Sequence, residues 1–206
     1  MAHCYRGWTA WGGICALLML LSAANAQAQR GAYTQSRNLA ELVAQSPLIV
    51  RGTVQSTRVE PHPDLQNLWT VVVTLRVAET LKGETHETFQ FRQFIWDVRD
   101  RADAAGYRKG QHLLLLMNPT TRYGLTSPAG LAQGRFRIRR DATGREIAIN
   151  GYGNAGLLRD LEKQLAQKKV KLSPRAAALV RQHPSGPIAL DDLRDLTREL
   201  TSVDLR

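Results

Sequence analysis

The sequence predicts a mainly β protein: a small antiparallel barrel of the OB type followed by a C-terminal helical tail, and thus α+β overall. Leu113–Met117 is a continuous apolar run between Gly110 and Asn118-Pro119, which is typical of a strand buried on both faces. Short segments rich in β-branched residues flank this run in the sequence and supply neighbouring strands. After Asn150 the leucines recur at helical spacing instead.

Residues 1–28 are typical of a secretory signal peptide, with Arg6 before an apolar run at Ile14–Leu21. Small-x-small cleavage sites end at Ala26 and Ala28. A bilayer core of about 30 Å needs roughly 20 apolar residues, so this run is too short to span it. We therefore expect a periplasmic or secreted protein without a transmembrane segment after cleavage. The alternative is an uncleaved anchor.

Both cysteines, Cys4 and Cys15, lie in this N-terminal segment. A mature chain without cysteine excludes a disulfide framework, a thiolate metal site and a cysteine nucleophile. The mature part of about 180 residues can form one core, and we predict a barrel domain at 29–150 and a helical tail at 151–206. The formal net charge of +10 is compatible with anionic partners, although an even spread of charge would serve solubility alone.

The first two predicted elements are a short helix and a long strand. Asn38 is a typical N-cap, Glu41 completes a capping box, and Pro47 ends the helix. The strand Leu48–Glu60 follows, and Gly52 within it indicates a bulge or a close approach of another backbone.

Two more strands are predicted at Trp69–Glu79 and Thr88–Trp96. In the second of these strands Phe89 and Phe91 share one face by alternation, whereas Phe94 and Trp96 fall on the other face. This change predicts a β-bulge near Arg92-Gln93. A short strand is predicted at Tyr123–Thr126. A hairpin then joins Arg135–Arg140 to Glu146–Asn150. In this arrangement we expect the core to contain Leu114, Leu116, Val72 or Val73, Phe136, Ile147 and Ile149.

Three helices are predicted in the tail. The first carries leucines at helical spacing within 156–168, and the second begins at Ser173-Pro174, an N-cap followed by proline. The third has an apolar stripe formed by Leu193, Leu196, Leu200 and Val203. We expect this stripe to dock on the preceding helices. The alternative is a surface for a partner protein.

Four segments carry a resemblance to known proteins: L-I-V-R-G-T-V at 48–54, V-A-E-T-L-K-G at 77–83, K-G-Q-H-L-L-L-L at 109–116 and G-L-A-Q-G-R-F at 130–136. This pattern of strands and turns, over residues 48–156, resembles uncharacterised exported bacterial proteins with an OB-type or netrin-like β-barrel body. The resemblance implies a fold and transfers no catalytic residue. Inhibitor members of the netrin-like group use an N-terminal cysteine, which this mature chain would lack.

Gly151–Gly156 matches G-x-G-x-x-G between a predicted strand and a predicted helix, which is the context of a dinucleotide site. The preceding strand closes an antiparallel hairpin, and no second βαβ strand ending in an acidic residue follows. We therefore favour a hinge between barrel and tail.

No other motif predicts a metal, a cofactor or a catalytic residue. The mature histidines have no i,i+4 pair, and the alternative is a zinc site assembled from distant positions. Asp97, Asp100 and Asp103 alternate with arginines, which favours a solvated loop over a calcium site. These mature histidines are His62, His86, His112 and His183.

Arg135, Arg137 and Arg139 alternate along a predicted strand and so share its exposed face. Arg51 and Arg92 are candidates for the same surface on neighbouring strands. OB-type barrels bind oligonucleotides and oligosaccharides on such a face, so we predict that these five arginines bind a ligand. The alternative is an ordinary polar strand face.

We expect an anionic envelope polymer or another exported protein as the partner, and no nucleic acid, because single strands need aromatic platforms. The predicted function is that of an exported, non-enzymatic binding or accessory protein of the bacterial envelope. The alternative is a hydrolase whose site is assembled from dispersed His, Asp and Ser residues. Convergence of two histidines with a carboxylate would favour the hydrolase, and a basic groove would favour the binding protein.

Overall fold

The computed structural model describes residues 35–203, so the predicted signal peptide lies outside the described residues. Within this range seven antiparallel strands form one sheet in the order β3-β2-β1-β4-β5-β6-β7. The strands are β1 (Leu48–Pro61), β2 (Trp69–Lys82), β3 (Thr88–Phe94), β4 (His112–Met117), β5 (Arg135–Arg140), β6 (Glu146–Asn150) and β7 (Ile188–Ala189). The helices are α1 (Leu39–Gln45), α2 (Val98–Ala102), α3 (Leu161–Gln167), α4 (Pro174–Gln182) and α5 (Leu190–Thr201).

The architecture is α+β, with a β-rich body followed by helices, as predicted. The sheet is not closed, and β3 and β7 form its two edges, so a closed OB-like barrel is not confirmed. The strand predicted at Tyr123–Thr126 is wrong. That segment forms a loop with a single bridge, between Leu125 and Arg92 of β3. No helix within residues 35–203 has both the length and the apolar character needed to cross a membrane.

The central strand β4 is buried on both faces, as its continuous apolar run predicted. Leu114 and Leu116 lie in a core on the helix-covered side of the sheet, and Leu113, Leu115 and Met117 lie in a second core on the opposite side. All five side chains are at most 1% exposed. Burial on both faces explains why this strand has no polar alternation.

The helix-side core contains side chains of the sheet, of helix α1, which precedes the sheet in the sequence, and of helices that follow β6. Leu39 and Leu42 of α1 share this core with Phe136 of β5 and with Leu161 of α3. Helix α5 packs against α1, α4, β2, β6 and β7. The predicted internal docking is therefore confirmed for Leu193, Leu196 and Leu200, whereas Val203 is only half-buried and lies outside this core. The helix docks on α1 and the sheet as well as on α4.

The second core lies under the other face of β1, β2, β3 and β4. Val50, Val73 and Phe91 belong to it, and Tyr107 covers it from the loop between β3 and β4. The ring of Tyr107 is 1% exposed and contacts Phe91 edge-on at 5.6 Å between ring centroids. The loop between β3 and β4 therefore contributes a buried side chain to the second core.

Gly52 confirms the predicted close approach of backbones. The β1–β2 register shifts beside it, and a Cβ at this position would lie 2.5 Å from the carbonyl oxygen of Arg76. The bulge predicted near Arg92-Gln93 is wrong, because β2 and β3 pair there without a register shift. Phe94 is the last residue of β3 and lies on the face opposite Phe91, and Trp96 lies beyond the strand and is 64% exposed.

The predicted inward orientation of Ile147 and Ile149 is also wrong. Both are half-buried on the face opposite the helices, and Ala148 between them is the residue that is buried in the helix-side core. Val72, Val73 and Phe136 are buried as expected. The β5–β6 hairpin therefore has a second, uncovered face, and this face positions the candidate site.

Candidate functional site: an arginine face on β5

The three predicted arginines of β5 lie together on the uncovered face of the sheet. Phe136 and Ile138 alternate with them and point into the helix-side core, so Arg135, Arg137 and Arg139 must point the other way. Arg137 and Arg139 are exposed, and Arg135 is half-buried. The side-chain alternation read from the sequence is therefore correct for this strand.

Arg51 and Arg92 do not join this group. Arg51 lies opposite Glu79 on the helix-covered face and donates to its carboxylate at 3.1 Å. Arg92 donates to the carboxylate of Glu60 at 2.7 Å and to the hydroxyl of Thr70 at 2.8 Å. Both arginines therefore form ion pairs with carboxylates elsewhere on the sheet.

Arg135 is held in place by the loop that covers the second core. Its Nη1 donates to the carbonyl oxygen of Ala105 at 2.8 Å, and its guanidinium lies 4.7 Å from the centre of the Tyr107 ring. The Tyr107 hydroxyl donates to Gln93 Oε1 at 2.9 Å, and burial raises the pKa of this phenol. Sequence reasoning missed Tyr107, because nothing in its local pattern indicates that it lies under an arginine of β5.

Arg137 lies among like charges. Partial loss of hydration lowers the pKa of its guanidinium, and repulsion from Arg139, Arg135 and Arg108 lowers it further. Among the described residues no ion pair to a carboxylate forms at any of these four arginines. We name this surface the arginine face; it consists of Arg108, Arg135, Arg137 and Arg139.

Apolar side chains flank the arginine face on both neighbouring strands. Ile149 of β6 and Leu113 of β4 pair directly with Arg137, and Ile147 pairs with Arg139. Aliphatic neighbours exclude water, so a charged ligand here would interact more strongly than on a fully hydrated surface. Phe136, the aromatic residue of β5, is fully buried on the other side and offers no stacking surface here.

The histidines do not assemble a hydrolytic site in the described part of the chain. His62 is buried; its Nε2 donates to the carbonyl of Tyr123 at 2.9 Å, and its Nδ1 accepts from the backbone N–H groups of Asp64 and Leu65. His112 contacts the hydroxyl of Thr53 at 3.2 Å. No group of three His, Cys, Asp or Glu residues in 35–203 is placed to hold a metal ion.

The glycine-rich segment 151–156 is a turn that its own neighbours hold in place. The side-chain oxygen of Asn150 accepts from the backbone N–H groups of Tyr152 and Asn154, while Asn154 donates to the carbonyls of Ala148 and Gly186. Every backbone N–H from 151 to 155 is donated within the protein, which leaves none of these for a pyrophosphate. The buried pair Asn150–Asn154, which sequence reasoning missed, therefore fixes the conformation of this turn by hydrogen bonds.

An open cleft of about 720 Å³ lies beside α3 and α4, away from the arginine face. Its walls include Leu158, Leu161 and Val180. Arg181 and Glu162, two of its charged residues, pair with each other at 3.0 Å. The cleft has the volume of a small-molecule site, but the charged pair in its lining is already neutralised.

Glu79 of β2 ties α5 to the sheet. Its carboxylate accepts from Arg51 at 3.1 Å, from Arg194 at 2.8 Å and also from Arg198. Burial by itself raises the pKa of Glu79, but the hydrogen bond from Arg194 and the three positive charges outweigh it, so the pKa lies below the ordinary value of 4.5. The carboxylate of Glu79 therefore pairs with guanidinium groups of both the sheet and helix α5.

Replacing Glu79 by glutamine is expected to lower the free energy of unfolding at pH 7 by about 1–2 kcal/mol, because charged hydrogen bonds are lost and three cations remain together. The unfolded chain binds a proton at Glu79 more readily than the folded chain. The stabilisation is therefore complete above pH 4.5 and is lost as the pH falls through the lower folded pKa. Urea unfolding across this range measures it, with exposed Glu84→Gln as the control. A difference that grows on acidification would contradict the assignment.

Comparison with family models and with curated proteins finds no match to this chain. The fold and the site define its class: within residues 35–203 it is a β-rich α+β protein whose arginine face has no paired carboxylate.

Proposed function

We propose that this protein is an exported, non-enzymatic binding or accessory module of the bacterial envelope, and that its arginine face binds an anionic polymer. The observation that carries the proposal is that Arg135, Arg137 and Arg139 share the uncovered face of β5, close to Arg108, without a carboxylate partner among the described residues. Like charges held together destabilise the folded chain, and an anionic ligand removes that repulsion. Guanidinium groups also match carboxylate and phosphate oxygens in a two-pronged geometry.

The proposal includes the OB-type or netrin-like body that the sequence resembles. The feature in its favour is the loop after β4, in which Pro128 bridges to Met117 and Leu125 bridges to Arg92 of β3. This loop therefore connects the end of the central strand β4 to the edge strand β3. The proposed partner is a polymer without bases, because the aromatic residue of β5, Phe136, is buried on the other face and cannot stack on a base.

Replacing Arg137 and Arg139 together by alanine is expected to weaken the binding of a polyanion by about tenfold or more, since each charged contact contributes about 1 kcal/mol. Fluorescence anisotropy with labelled polygalacturonate and labelled polyphosphate measures this. The control is Arg175→Ala with Arg181→Ala, which removes the same charge from two exposed arginines paired with Asp192 and Glu162.

The control pair distinguishes a defined surface from net charge. We expect the control to retain binding close to the wild type, and binding by all forms to weaken as salt is added. Equal losses in the two double variants would contradict the proposal, because they would mean that total charge alone governs binding. Absence of binding by the wild-type protein would also contradict it and would favour another exported protein as the partner.

Export is tested by the mass of the protein outside the cytoplasm. We expect the mature chain to begin at Gln27 or Gln29, because the small-residue sites directly follow the apolar run. Intact-mass spectrometry of the exported fraction measures this. A soluble exported protein with the mass of all 206 residues would contradict cleavage.

A further inference from the structure

We infer that the arginine face binds a linear polyanion in extended form, along β5, and that three consecutive anionic groups fill it. This inference rests on the proposed function. The chemistry required of the ligand is one carboxylate or phosphate on each repeating unit of an unbranched chain.

The first argument is the spacing of the guanidinium groups. Arg135, Arg137 and Arg139 are two residues apart on one strand, so their attachment points are separated by about 6.7 Å and the row is about 13 Å long. A single carboxylate or phosphate is too small to contact both ends of such a row. A chain that carries its charges at intervals contacts all three at once.

The second argument is that both ends of the row are bounded. At one end Arg135 is bonded to Ala105 and stacked on Tyr107, so the loop before β4, which also contributes Arg108, ends the row of strand arginines. At the other end lies Asp141, which accepts hydrogen bonds from Thr143 and Arg145 and has its pKa lowered to about 2. The turn that begins at Asp141 ends the strand, so the alternation that places Arg135, Arg137 and Arg139 in one row stops at Arg139. The surface therefore has room for about three charges.

The third argument is that the row is partly ordered before any ligand arrives. The hydrogen bond and the ring contact of Arg135 fix one end of the row. Ile147 and Ile149 pair with Arg139 and Arg137 on the adjacent strand and restrict these side chains on one side. Ordering in advance reduces the entropy that binding must overcome, which favours a ligand that follows the strand.

The test uses the purified protein and two series of ligands: oligogalacturonates of one to six units, and linear oligophosphates of increasing length. We expect the affinity to rise about fivefold for each added charge up to the third, as about 1 kcal/mol per contact implies, and then to level off. Levelling off in only one series would identify that chemistry, carboxylate or phosphate, as the source of the ligand. Isothermal titration calorimetry at fixed ionic strength measures the affinities.

Arg139→Ala provides the decisive variant. It is expected to move the length at which the affinity levels off from three charges to two, while Arg181→Ala leaves it unchanged. An affinity that is independent of length, or one that keeps rising to the longest ligand, would overturn the inference. Those results would leave the proposed function intact if polymer binding still depends on Arg137 and Arg139. Loss of that dependence would instead overturn the proposed function.

Discussion

Deleting residues 187–206 is expected to leave the protein largely unfolded or aggregated. The deletion removes β7 and α5, and with them Leu190, Leu193, Leu196 and Leu200, each at most 2% exposed. Burial of four leucine side chains contributes about 6–12 kcal/mol, and typical domains have only about 5–15 kcal/mol of total stability. The deletion would also expose the apolar surfaces of α1 and the sheet to water.

Circular dichroism, thermal melting and size-exclusion chromatography measure this outcome. Two single substitutions on α5 provide a matched control for the truncation. Leu196→Ala removes a fully buried side chain and is expected to lower stability by about 2–5 kcal/mol, whereas Asp195→Ala, at the exposed preceding position, is expected to change it by less than about 1 kcal/mol. A truncated protein that melts at the wild-type temperature would show that α5 does not support the core.

Replacing Leu114 by alanine is expected to lower the free energy of unfolding by about 2–5 kcal/mol, the usual range for a buried leucine. Leu114 is fully buried on β4, between β1 and β5, and lies in the core that the helices cover. The surrounding backbone is paired on both sides and can relax only partly into the space left by the leucine. The loss of stability should therefore include a contribution from the cavity.

Urea unfolding at pH 7 measures the effect of Leu114→Ala. Leu65→Ala makes the same chemical change in the half-buried loop between β1 and β2, and we expect a loss below about 1 kcal/mol there. A loss below about 0.5 kcal/mol at Leu114 itself would mean that β4 is not the central strand.

Features that depend on near neighbours in the chain were predictable. Asn38 caps α1 by accepting from the backbone N–H of Glu41, and Ser173 caps α4 by accepting from Ala176, as the local patterns indicated. These bonds join residues three positions apart, so the local sequence is enough to indicate them. The apolar run of β4 was equally informative, because only a doubly buried strand can do without polar alternation.

Features that depend on which face is covered were not predictable. Alternation showed that Ile147 and Ile149 share one face of β6, but the packing of α5 and β7 leaves Ala148 on the buried side. In the same way, the sequence placed Arg51 and Arg92 beside β5, whereas the fold pairs them with Glu79 and Glu60. A strand pattern separates two faces and does not say which of them will meet a neighbour.

The sequence by itself determined the two periodicities, the capped helices, the central strand and the shared orientation of Arg135, Arg137 and Arg139. These follow from local geometry: two residues per repeat in a strand and 3.6 in a helix. Only the tertiary structure decided that the sheet stays open, that Tyr107 and Arg108 come from a distant loop to join β5, and that Asp141 bounds the row. Such contacts are selected by burial and charge across long stretches of chain, because the free energy of packing is shared among residues that no local pattern connects.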